Sequence, residues 1–139
     1  MKRNESIQKV MTTQLTTLHT AMKVSEARKA LDTNAFRHLP VVSGDKLVGM
    51  ISSKDMLEVE IVGWGTDVRS LDAVLDHQFT IEQLMTSEVE TLPTSAKVRD
   101  AANLLAEGRF HSVPVVDDEG RLQGLVTSTD LIRYLADQF

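Results

Sequence analysis

The sequence predicts an α+β fold of α/β type, built from two copies of one β-α-β-β-α unit, each with a small mixed sheet. Three observations lead there. A long stretch from Met11 is repeated from Met85, the hydrophobic periodicity changes in the same order in both copies, and the string "GMISSKD" at 49–55 returns as "GLVTSTD" at 124–130.

The repeat comes first, because self-similarity sets the architecture before any single element does. "MTTQLTTLHTAMKVSEARKALDTNAFRHLPVV" lies over "MTSEVETLPTSAKVRDAANLLAEGRFHSVPVV" without a gap, and after one inserted residue "LVGMISSKDML" lies over "LQGLVTSTDLI". Of the 47 positions from Met11 to Leu57, 17 are identical. The organisation predicted is a first repeat over 1–60, a connector over 61–80 and a second repeat over 81–139.

Within each copy the elements follow in order. Val24, Ala27, Ala30 and Leu31, like Val98, Ala101, Leu104 and Leu105, keep helical spacing. Asn34 and Gly108 stand where each helix should stop, and both residue types tolerate the left-handed conformation of a helix C-terminus. "LPVV" and "VPVVD" are short apolar runs expected to be buried strands. The turns "SGDK" and "DEGR" lead to a second strand that ends at Ser52 or Thr127, and "SKDMLEVEIV" and "STDLIRYLADQF" close each unit as helices. One such unit would be marginal alone, so the copies are expected to bury their sheets together. In the connector, Gly63-Trp64-Gly65 forms a turn and a short helix starts at Ser70, with Leu71, Val74 and Leu75 on one face. Trp64 is either a packing plug or a subunit-contact anchor.

Composition narrows the function classes. With 42% hydrophobic and 25% charged residues the chain is of ordinary globular type. It has no cysteine, which removes disulfides and thiolate chemistry and suits the cytoplasm. "MKRNESIQKVM" lacks the apolar stretch of a secretory signal, and no run is long enough to span a bilayer. A net charge of −5 disfavours a duplex nucleic acid partner. A small ligand is expected instead.

The paired strings admit two readings. Ser52 with Asp55, and Thr127 with Asp130, have the spacing of a capping box, in which hydroxyl and carboxylate satisfy the first N–H groups of a helix. The same carboxylate beside a helix N-terminus can accept two hydrogen bonds, which suits the vicinal hydroxyls of a ribose. Gly49 and Gly124 would let a ligand or a neighbouring backbone approach the strand closely.

The doubled pattern of apolar-Pro-Val-Val, turn, and Gly-apolar-apolar-Ser/Thr-x-x-Asp resembles the cystathionine β-synthase (CBS) domain family over about residues 7–57 and 81–139. Two copies resemble the paired arrangement called a Bateman module. The resemblance implies a pseudo-twofold pair with two clefts for adenosine-containing ligands. By position it assigns Asp55 and Asp130, helped by Ser52 and Thr127, to the ribose. It assigns Leu15 and Val89 on the first strands to an adenine wall, His38 and Ser112 to the base edge, and Ala27 and Ala101 to the helix facing the base. Phosphates would meet Arg37, His38, Lys54 and His111, with Arg37 favoured by its planar fork of donors. The sequence departs from the family where Met22-Lys23 and Ala96-Lys97 stand in place of a Ser or Thr before the first helix. The first copy also has the richer set of cations, so unequal clefts are expected.

Rival classes fare less well. The four histidines show no metal-ligand spacing, and neither a nucleophile elbow nor a phosphate loop appears. No catalytic residue and no metal site is therefore expected, and the chain is read as a non-enzyme. A structural or interaction module without a nucleotide, or a binder of NAD or S-adenosylmethionine, is the alternative. The expectation is a cytoplasmic sensor of cellular energy state, with AMP, ADP or ATP as regulatory ligand, signalling to an unidentified partner. A homodimer would pair the helix faces Met56, Leu57 and Ile61 and Leu131, Ile132 and Leu135. A bridging nucleotide would change the angle between units, which requires unequal affinity for the two arrangements.

Overall fold

Two three-stranded mixed sheets, each flanked by helices, organise the chain in a computed structural model. It describes residues 4–33, 37–65 and 67–139, the side chain of Val62 excepted. The first copy comprises β1 (Leu18–His19), α1 (Val24–Thr33), β2 (His38–Ser43), β3 (Lys46–Ser52) and α2 (Ser53–Glu60). After a 3-10 turn (Ile61–Gly63) come α3 (Val68–Gln78) and α4 (Ile81–Leu84). The second copy comprises β4 (Leu92–Pro93), α5 (Val98–Ala106), β5 (Ser112–Val116), β6 (Leu122–Thr127) and α6 (Ser128–Asp137). The expected β-α-β-β-α order holds twice.

The compact units do not coincide with the repeats. One unit is Thr16–Val89; the other joins Met1–Leu15 to Glu90–Phe139. Each therefore holds one sheet and one leading segment, and in each the segment serves the same purpose. In the first unit Ile81 is fully buried in a core with Leu18, Val24, Ala27, Leu39, Val41, Ile51 and Leu75. In the second, Ile7 is fully buried with Ala101, Val113, Val115 and Val126. Ile7 and Ile81 occupy matched positions of the repeat.

These segments also explain a proline in the middle strand of each sheet. β2 pairs with β1 in parallel only at Val41 and Val42, beyond Pro40, so the missing proline N–H leaves no gap there. On its other side Pro40 faces Met50, whose N–H and C=O turn away to Thr86 at 3.0 and 2.9 Å. In the second unit Pro114 faces Leu125, whose backbone bonds Thr12 at 2.9 and 2.8 Å. A proline is tolerated in a strand only where its absent donor is not needed. The Thr12 and Thr86 segments meanwhile pair what would be open edges of β6 and β3.

Local signals behave as expected at most ends. Gly108 ends α5 with φ +79°, the left-handed value that disfavours a Cβ; Asn34 lies outside the described residues. The lysines found where a Ser or Thr was expected begin half of a capping box, because Glu26 accepts from the Lys23 N–H at 3.2 Å and Asp100 from the Lys97 N–H at 2.8 Å. The connector helix starts at Val68, two residues before the expected Ser70, because Asp67 accepts from the Ser70 N–H at 2.8 Å and caps it. Leu75 alone of its apolar face is fully buried.

Candidate functional site

Both polar strings fold into capping boxes. At the head of α2 the Ser52 N–H donates to Asp55 Oδ2 at 2.9 Å and the Asp55 N–H to Ser52 Oγ at 3.1 Å. At the head of α6 the Thr127 N–H donates to Asp130 Oδ2 at 2.9 Å and the Asp130 N–H to Thr127 Oγ1 at 3.0 Å. Capping thus uses one carboxylate oxygen of each aspartate. The second oxygen is where the two strings diverge.

Asp55 is partly exposed, and among the described residues its carboxylate accepts from Ser52 alone. It lines a pocket of about 360 Å³ with Glu58, Val59, Gln78, Phe79, Gln83 and Leu84. Asp130 is 9% exposed, and both its oxygens accept from the Thr12 hydroxyl, Oδ1 at 3.2 Å and Oδ2 at 3.3 Å. Arg133 adds an ion contact at 3.8 Å. Arg133 matches Glu58 in the repeat, so one aspartate has a cation one turn on and the other has a second carboxylate.

The remaining assigned residues fall into three groups. His38 pairs with Ser52 and Ser112 with Thr127 across the sheets, which places the residues expected at the base edge beside those expected at the ribose in the same unit. Arg37 and Lys54 are exposed at the head of α2, where the Arg37 carbonyl accepts from the Ser53 N–H at 2.8 Å. His111 is exposed at the head of α6, and its carbonyl accepts from the Ser128 N–H at 2.9 Å.

Several expectations need correction. Ala27 and Ala101 are wholly buried and belong to the cores, so their side chains pack and present no surface. Leu15 and Val89 do not lie on the first strands, which begin at Leu18 and Leu92. Leu15 belongs to the unit that carries Asp130, and Val89 to the unit that carries Asp55. Met56 is 3% exposed and turns into the core, leaving Leu57 (61%) exposed on α2 and Ile61 (57%) exposed in the turn after it. Trp64 is no packing plug, at 85% exposure. With Leu57, Ile61 and Leu71 it lines a second pocket of about 300 Å³.

The glycines of the strings are explained within each unit. A Cβ on Gly49 would stand 2.7 Å from Met85 Sδ and 2.8 Å from the Thr86 carbonyl oxygen. On Gly124 it would stand 2.8 Å from Met11 Sδ and 3.0 Å from the Thr12 oxygen. Of the two reasons for a glycine, the neighbouring backbone is the one realised here. Thr12, Glu58 and Arg133 were not singled out from the sequence. The Met-Thr pair that opens both copies was visible there, but nothing in it told which sheet the pair would join.

Among the described residues there is no group of three or more His, Asp or Glu side chains placed to hold a metal ion. No described helix is long and apolar enough to cross a membrane.

Comparison with known proteins bears on both repeats. A family model described as CBS domain matches residues 7–61 and 81–137. The chain is similar to CBSX2 of Arabidopsis thaliana, solved in complex with AMP, at 26% identity over 96% of this chain and 97% of that one, with a TM-score of 0.79. It is similar to the CBS domain pair of MJ0100, solved with 5′-methylthioadenosine and S-adenosyl-L-methionine, at 29% identity over 98% and 99% of the chains, with a TM-score of 0.75. Among curated sequences it is 27% identical to the uncharacterized protein MJ1225 of Methanocaldococcus jannaschii over 96% of this chain. The chain spans about half of that protein (48%), and 20% of an L-aspartate semialdehyde sulfurtransferase from the same organism, to which it is 34% identical.

Proposed function

The chain belongs to the CBS domain family through both of its repeats, and on that premise we propose that it is a regulatory module for adenosine-containing ligands and not an enzyme. The observation that carries this reading is the matched carboxylate at the head of α2 and of α6, each engaged by its own cap through a single oxygen. Asp55 with Ser52, and Asp130 with Thr127, take the ribose diol. His38 and Ser112 meet the base edge, with Leu15 and Val89 as apolar contacts. Arg37, His38, Lys54 and His111 serve an AMP, ADP or ATP phosphate, and binding alters the surface offered to a regulated partner in the cytoplasm. The relatives solved with AMP and with methylthioadenosine or S-adenosylmethionine support the ligand class.

A second reading has its own support at Asp55. The pocket there carries two carboxylates, Asp55 and Glu58, and no cation in its lining. A ligand with an uncharged or cationic tail, of the methylthioadenosine or S-adenosylmethionine kind, suits those walls better than a triphosphate. The exposed apolar residues Leu57, Ile61 and Trp64, and on α6 Ile132 and Leu135, are the surface for a homodimer.

Thermal unfolding with AMP, ADP, ATP, NAD, methylthioadenosine and S-adenosylmethionine in turn tests the reading. A ligand at one hundred times its dissociation constant adds about 2.7 kcal/mol. No shift with any of them, in protein freed of copurified ligand, would sink it.

A further inference from the structure

The two ribose carboxylates are in different states, and the difference is one hydroxyl. Thr12 and Thr86 are matched positions, each hydrogen-bonded through its backbone to the second long strand of its sheet. The Thr86 side chain is exposed and makes no hydrogen bond to Asp55 among the described residues. The Thr12 hydroxyl instead lies between both oxygens of Asp130, at 3.2 and 3.3 Å. A vicinal diol needs those two oxygens together, and Thr12 presents to them the donor that a ribose hydroxyl would present.

We infer that Thr12 is a stand-in for the ligand: its hydroxyl holds the Asp130 carboxylate, so the Asp130 site binds only by displacing it, and the Asp55 site fills first. This rests on the reading of both aspartates as ribose acceptors. Three features of the second unit agree with it. Asp130 is only 9% exposed, so its carboxylate depends on protein donors. Thr12 is anchored from both sides, by its backbone bonds to Leu125 at 2.8 and 2.9 Å and by Ile7 fully buried upstream. The Met11 side chain closes over Gly124, which keeps the segment seated beside the motif. In the first unit the corresponding carboxylate opens on a pocket. A hydrogen bond to a charged group is stronger than one between neutral groups, and with part of it regained from the ligand its removal is worth about tenfold in affinity.

The test is a titration of the full ¹⁵N-labelled chain with AMP, and in a parallel arm with methylthioadenosine, which shares the ribose but carries no phosphate. The amides of Gly49 and Gly124 each report one motif. In the unaltered protein Gly49 should reach half-saturation at lower ligand concentration than Gly124. Thr12→Val, which keeps the shape and removes the hydroxyl, should bring the Gly124 curve down by about tenfold and leave Gly49 where it was. Thr12→Ser, which keeps the hydroxyl, should behave as the unaltered protein. A Gly124 curve that stays put or moves to higher concentration in Thr12→Val, while Gly49 still titrates, overturns the stand-in role alone. If neither glycine responds to either ligand in any folded variant, the adenosine reading fails and this inference falls with it. A shift in the AMP arm only would assign the gain to the phosphate, through the neighbouring Arg133, and also overturns the ribose displacement.

Discussion

The two units were built from one repeated sequence and differ in what surrounds the same string. The unit with Asp55 is reinforced away from its motif. Arg28 on α1 bonds Glu60 at 2.9 Å and Asp72 at 3.1 Å, and the Ser25 N–H and hydroxyl bond Asp76 at 2.8 and 2.7 Å, so α3 is tied to the first helix. The unit with Asp130 has Ala102 and Arg99 at the matched positions, and neither makes such a tie among the described residues. It is reinforced at the motif instead, by Thr12 and Arg133 on the carboxylate. A capped helix start is therefore not one functional object. Its second carboxylate oxygen is open or engaged according to which segment lies beside it.

The largest effect should come from Ile7→Ala. Removing a fully buried side chain costs about 2–5 kcal/mol, and here the loss falls on the unit that contains the second repeat, more than eighty residues away in sequence. Ile81→Ala should cost a similar amount in the other unit. Urea unfolding measures both. An Ile7→Ala protein as stable as the original would show that the leading segment is not part of the second unit.

Overpacking at the glycines comes next. Gly49→Ala and Gly124→Ala each press a Cβ onto a methionine and a backbone oxygen, a kind of insertion that costs about 1–3 kcal/mol. Gly49→Ala should be the worse of the two, since its contacts are uniformly shorter. Calorimetric melting of both variants checks the order, and the reverse order would contradict the closer seating of Met85.

Arg28→Ala should cost about 1–2 kcal/mol, between the values for exposed and for buried ion pairs, because its side chain is 18% exposed. Ala102→Arg in the second unit should change stability by less than about 0.5 kcal/mol. If both changes were neutral, the tie between α1 and α3 would carry no stability and the contrast between the units would lie at the motifs alone.

The smallest effects are in acid. The Ser70 N–H holds the Asp67 carboxyl below the ordinary aspartate value, and the Arg121 guanidinium does the same for Asp117. A carboxyl lowered on folding contributes stability that is complete above its unfolded value and is lost as pH falls through its folded one. Both contributions should therefore hold at neutral pH and fade only below the ordinary carboxyl range. Following the Ser70 and Arg121 amides during acid titration should give midpoints under that of free aspartate. A midpoint at the free value would mean that the cap of α3, or the turn before β6, does not persist in solution.

Much of this was readable in the chain because it rests on local rules. The helix ending at Gly108, the turns, the capping boxes of Ser52–Asp55 and Thr127–Asp130, and the β-α-β-β-α order follow from backbone sterics and from hydrogen bonds spanning three or four residues. What could not be read were partners distant in sequence. The prolines inside the middle strands looked like plain apolar-strand residues. Only the pairing of Met50 with Thr86 and of Leu125 with Thr12 shows why no donor is missed there. The resemblance assigns Ala27 and Ala101 to a ligand by position, and periodicity alone does not tell which neighbour fills the space beside a small residue on a helix.

By itself, then, the sequence determined the two copies, their elements and the four residues that cap the heads of α2 and α6, because those features depend on neighbours along the chain. Tertiary structure alone decided that Thr12 would meet Asp130 across 118 residues while Thr86 would leave Asp55 open. The sequence writes both pairs in the same letters. The hydroxyl–carboxylate distance that separates them depends on how each segment seats against its sheet, and that is a property of packing.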